Sequence, residues 1–167
     1  MENKTTDTAI IDLILNTWTS RNTAVTHFFG KYRDEAYEQT IAPGRNRAVY
    51  LFGHLIATND ALLPLLGFGD KLFPELEAFG PNPDSSFSTL PPVAELKEKW
   101  EIVNQTLSNH FNQMTPQDWL GRHMNVSEED FAKEPQRNKL NVLLGRTNHQ
   151  SYHLGQLNLL TVRELVA

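Results

Sequence analysis

The sequence predicts an all-α protein, a four-helix bundle with a long crossover between its second and third helices. Three observations predict it. Apolar residues recur at helical spacing along four stretches of the 167-residue chain. No stretch of comparable length alternates with period two, so no sheet is required. Between the second and third stripes lie Pro64, Pro74, Pro81, Pro83, Pro91 and Pro92 together with Gly67, Gly69 and Gly80, which is the composition of a long connection.

The first helix is predicted over Asp7 to Phe29, with Ile10, Ile14, Trp18, Val25 and Phe28 along one stripe. The second runs over Arg45 to Leu66 and turns Tyr50, Leu51, Leu55, Ala61, Leu62 and Leu65 inward. In the crossover, a short helical turn is expected at Pro74 to Phe79. The Pro91-Pro92 pair suits the start of a third helix, whose stripe is Val93, Leu96, Trp100, Val103, Leu107, Phe111 and Met114. A polar arm, Thr115 to Glu134, follows, anchored by Trp119, and Ser127-Glu128-Glu129-Asp130 reads as the N-cap of one short turn within it. The fourth helix begins after Pro135 and runs to about Val162, with Leu143, Leu154, Leu157 and Leu160 on its buried side. Residues 1–167 make a single domain.

Composition narrows the function. Hydrophobic residues at 40% suffice for one core, and 21% charged residues exclude a disordered tail or a coiled-coil rod. Fifteen Lys and Arg against 20 Asp and Glu leave a charge of −5, so no nucleic-acid partner is expected. Without cysteine there are no disulfides, thiolate metal ligands, iron–sulfur clusters or cysteine nucleophile. The polar N-terminus lacks the apolar segment of a signal peptide, and runs such as Leu62-Leu63-Pro64-Leu65-Leu66 are short and broken for a membrane span. A cytoplasmic protein without a membrane partner is the expectation.

Helix bundles build their sites in the core from side chains on facing helices. Of the six histidines, His149 and His153 are spaced i, i+4 on the fourth helix, which stacks them one turn apart. Such a pair arises by chance roughly 0.2 times in a chain with this histidine content, so the spacing is a weak motif by itself. With His149 at zero on the helical wheel, His153 falls at about 40° and Gln156 at about −20°. Leu160 and Val142 fall at about 20° on the same wheel. The pair is therefore expected to face the interior, where neutral imidazoles need partners and a metal ion supplies one. His54, on the face of Leu51, Thr58, Ala61 and Leu65, is the best candidate for a third ligand, although taken alone it reads as a core histidine, and Gly53 beside it admits a close helix approach.

Gly53-His54-Leu55 on the second helix, with Arg146-Thr147-Asn148-His149-Gln150-Ser151-Tyr152-His153-Leu154-Gly155-Gln156-Leu157 on the fourth, resembles the DinB/YfiT-like metalloprotein superfamily. Pro43-Gly44-Arg45-Asn46 also resembles the family's lead-in to the second helix. The resemblance implies a four-helix bundle with one divalent metal ion, zinc or nickel, held by His54, His149 and His153. It implies a homodimer, a small-molecule substrate, and transferase or isomerase chemistry with a low-molecular-weight thiol such as bacillithiol or mycothiol. Three ligands leave the metal open to water or thiolate, the arrangement of a catalytic site.

Other residues qualify this picture. His149 to His153 resembles the zinc-protease His-Glu-x-x-His pattern with Gln150 in the glutamate's place, and an amide is no general base. Tyr50 stands where relatives often carry tryptophan, a change in pocket lining. Gln156 is the one catalytic candidate: its amide either holds a metal-bound water or ligand, or simply packs. Arg146, on the same side of the wheel at about 60°, either meets an anionic substrate or is solvated, and solvation is the expectation. Asp60 is expected at the surface, His27 at the core edge, and His110 and His123 away from any metal. Two further readings are a non-enzymatic metal or small-ligand binding module, and an interaction protein with merely buried histidines.

Overall fold

The computed structural model describes residues 6–162, and among them there are helices and two isolated bridges, Thr40 with Arg47 and Arg122 with Asn138, but no strands. Four long helices dominate: α1 (Thr6–Phe29), α2 (Ala48–Asp60), which continues through Ala61 into the short α3 (Leu62–Leu66), α4 (Val93–Phe111) and α7 (Lys139–Leu157). Helix α1 packs on α7 and α4, and α2 packs on α4 and α7. The crossover holds two 3-10 turns, Pro74–Phe79 and Asp84–Ser86, and the arm holds α5 (Pro116–Leu120) and α6 (Glu128–Lys133).

Several boundaries differ from the sequence expectation, each for a local reason. The second helix opens at Ala48, where Arg47 is extended and its backbone N–H and guanidinium are both held by Asp84 of the crossover. Pro64 has no N–H for the carbonyl of Asp60, and α2 and α3 are separate segments meeting at Ala61. Gly67, with φ of 81°, then ends α3 in a left-handed conformation that a glycine adopts freely. The fourth helix stops at Leu157 rather than Val162, although Leu160 still folds back into the core. On α1 the buried stripe is Ile11, Trp18, Val25 and Phe28, while Ile10 is 49% exposed. Trp119 is buried, as expected of an anchor, and a Thr115–Asp118 capping box fixes the turn before it.

The segment Ala48–Leu66 is long and apolar enough to cross a bilayer by length and composition, contrary to the sequence expectation, yet 72% of its apolar window is buried inside the protein. Its residues Leu51, Phe52, Leu55, Ile56, Leu62 and Leu66 form the centre of the core.

Asp60 is not a surface carboxylate. It is buried and accepts the backbone N–H groups of Leu72 and Phe73 at 2.8 and 2.9 Å. With Arg47–Asp84 it pins the crossover to both ends of α2, which brings Phe79 over the middle of that helix. A Cβ on Gly53 would lie 2.6 Å from the Phe79 ring, so glycine there admits the crossover, where the sequence suggested another helix.

Candidate metal centre

The structure brings His54, His149 and His153 together. Two turns into α2, His54 projects toward α7, and its Nε2 lies 3.1 Å from His149 Nε2. One turn along α7, His153 Nε2 lies 3.0 Å from the same atom. One ligand atom from each ring falls within 4.8 Å of the others, and among the described residues no carboxylate belongs to the cluster. Donor atoms held at about 2.0–2.1 Å from one ion lie about 3 Å apart at right angles and about 3.4 Å apart at tetrahedral ones. The two short separations fit a shared ion.

The outer face of each ring decides what its inner face offers. His54 Nδ1 donates to the Phe79 carbonyl at 2.7 Å, which leaves Nε2 with a lone pair. His153 Nδ1 donates to Gln156 Oε1 at 2.7 Å, with the same result. His149 Nδ1 is buried without a partner. Two lone pairs therefore face the third imidazole, which has at most one N–H to share between them. A cation satisfies all three, and backing of the outer nitrogen is the usual second shell of a histidine ligand.

Protonation does not relieve the crowding. All three histidines are held below the usual imidazole range, chiefly by burial. His149 falls to about 3, with further depression from His153, Arg146 and His54. The Phe79 and Gln156 hydrogen bonds oppose the shifts of His54 and His153 without reversing them. Neutral imidazoles are the form that binds metal.

Gln156 lies behind His153 rather than at the open side of the cluster. Both ends of its amide are engaged, the oxygen by His153 Nδ1 and the nitrogen by the Tyr152 hydroxyl at 3.1 Å. It positions a ring. Tyr152, largely exposed, and the Phe79 carbonyl escaped the sequence reading. The i, i+4 spacing of Tyr152 with Gln156 carried a signal for the first. A main-chain carbonyl 25 residues from its histidine carried none.

The centre of the buried face of α7 is offset from the wheel prediction. Leu143, Thr147, Gln150 and Leu157 are the enclosed residues along with His153, while His149 is half-buried at the edge. Gln150 is wholly buried and donates to Asn22 at 2.8 Å and Asn59 at 3.2 Å, away from the histidines. Asn59 in turn donates to Asn104, so one amide from each long helix joins a network. Arg146 has neither ion pair nor hydrogen bond among the described residues, and its Nε is buried. The solvated-arginine expectation is corrected.

The remaining candidates are not members of the cluster. Tyr50 stacks beside His54 and Phe79 and donates its hydroxyl to the Asn82 carbonyl at 2.6 Å. His110 stacks on Phe68 at 4.5 Å, and His123 accepts the Asn125 N–H. His27 is exposed on α1, outside the core edge expected for it. No protein-family model matches the chain, and no curated protein matches it.

Proposed function

We propose that this chain is a DinB-like four-helix bundle with one divalent ion, zinc or nickel, held by His54, His149 and His153. In this reading it is a metal-dependent transferase or isomerase that acts on a small molecule through an activated nucleophile, a low-molecular-weight thiol foremost. The observation that carries it is the convergence of three Nε2 atoms, two of them stripped of their proton by acceptors behind the ring. When bound, a divalent cation supplies Lewis acidity and lowers the pKa of a water or thiol.

The chain's own residues supply the rest. Phe79 and Gln156 hold two rings in the ligating tautomer, and burial keeps all three neutral, so no proton has to leave before they bind. Gln150 is turned into the amide network and serves neither as base nor as substrate contact, which argues against peptide hydrolysis.

The lack of a carboxylate in the cluster favours a second reading, a non-enzymatic metal or small-ligand binding module of the same fold. Homodimer and cytoplasmic location belong to the same proposal and rest on the resemblance and composition.

Metal analysis of untagged protein is expected to give about one ion per chain. His54→Ala and His153→Ala are expected to lose it and His110→Ala to keep it. Retention in both cluster variants would refute the ligand set. Thiol conjugation to a panel of electrophiles, with and without chelator, separates the readings: a chelator-sensitive rate supports the enzyme, and its absence across the panel supports the binding module.

A further inference from the structure

Arg146 sits one turn before His149 on α7 and within electrostatic reach of His54 and His149, whose protonation it opposes. Its Nε is enclosed and unpartnered, while its two Nη groups, also without partners, are not enclosed in the same way. Burial lowers its pKa to about 10, so it remains charged at neutral pH. Several half-buried cations are matched: Arg47 by Asp84, Lys97 by Asp34, and Lys99 by Glu75 and Glu95. The chain has 20 acidic residues and a net charge of −5, yet among the described residues none is set against Arg146.

The charge at this place is therefore one-sided. Three neutral imidazoles leave a divalent ion's charge uncompensated, and the guanidinium beside them adds another positive charge. An apolar ligand would bury that guanidinium further with nothing to meet it. An oxyanion meets it with two parallel N–H···O bonds, the geometry that arginine forms best.

We infer that Arg146 is the anion-recognition group of this site, its Nη pair holding the carboxylate or phosphate of a small acidic substrate. The inference rests on the proposed metal centre and adds the substrate class to it. Arg146 positions the ligand and takes no part in proton transfer.

The test uses cobalt(II)-loaded protein, wild type, Arg146→Gln and Arg146→Lys, titrated separately with inorganic phosphate and acetate at constant ionic strength. Cobalt stoichiometry reports the metal centre; the cobalt absorption spectrum and the thermal midpoint report the anion. All three proteins are expected to bind one cobalt. Arg146→Gln is expected to need about tenfold or more anion than wild type, with Arg146→Lys between them. Without anion, Arg146→Gln is expected to melt at or above the wild-type temperature, because a buried unpaired charge is gone. The anion with the larger wild-type response identifies the group recognised. Equal anion responses of wild type and Arg146→Gln would overturn the inference, and a lower anion-free midpoint with them would mark Arg146 as packing only. Failure of every variant to bind cobalt would sink the metal centre instead, and the same titrations on metal-free protein would then decide the arginine's role.

Discussion

Helices α2 and α7 meet in two polar clusters, and the two are built on opposite principles. In the amide network, Asn22, Gln150, Asn59 and Asn104 each carry donors and acceptors, and they pair across all four long helices. Asn104 closes the network on its own helix by donating to the Trp100 carbonyl. One oxygen, Gln150 Oε1, is left over. In the histidine cluster His54 and His153 turn their lone pairs toward His149 and send their protons outward. The first cluster is nearly complete among the described residues; the second leaves lone pairs facing one another. Burial of polar groups thus does not distinguish a structural network from a site, whereas the balance of donors and acceptors does.

The largest test of this contrast is Gln150→Glu, which restores the protease-like spacing. The carboxylate would be fully buried against the Asn22 and Asn59 oxygens, and the lost pairing is expected to cost about 3–5 kcal/mol in denaturant unfolding. No peptidase activity is expected. A stable Gln150→Glu with metal-dependent peptide cleavage would break the comparison by placing residue 150 in the site.

A smaller effect is expected at Gln156, which serves the histidine cluster from outside. Gln156→Ala frees His153 Nδ1 and is expected to weaken metal affinity about 10- to 100-fold, read by competition with a chromophoric chelator, with little change in stability. Unchanged affinity would mean that the ring is held by packing alone.

The smallest effect concerns pH. The folded pKa of each cluster histidine lies below its unfolded value, so between the two the unfolded chain binds more protons. Stability of the metal-free protein is therefore full above about pH 6.5 and falls as pH drops, for His149 down to about 3. Thermal melts of chelator-treated protein at pH 7 and pH 5 are expected to show this loss, reduced in His149→Gln. The amide network contains no titrating group and contributes nothing to it.

The helices and two of the ring positions on α7 were legible because both depend on local periodicity. The place of His54 on the face of α2 marked it as inward-facing, while its pairing with the α7 histidines came from the resemblance of the surrounding motifs. The buried direction of α7 was misjudged because Leu160 and Val142, close to His149 on the wheel, drew the centre toward it, whereas Gln150, a polar residue, occupies the middle. Asp60 and Arg146 were misread for one reason: a charged side chain looks solvated in sequence, and only long-range packing shows that backbone N–H groups enclose the one and that no described residue neutralises the other. Phe79 acts through its carbonyl, which side-chain identity does not report.

That carbonyl ties two distant events together. The crossover orients His54 by one atom of its own main chain, so a grip on the opposite nitrogen of that ring and the seating of residues 74–79 reinforce each other by the same free energy. Amide hydrogen exchange in this turn is accordingly expected to slow on metal addition, giving the centre a reporter on the protein surface, remote from its ligands in the chain.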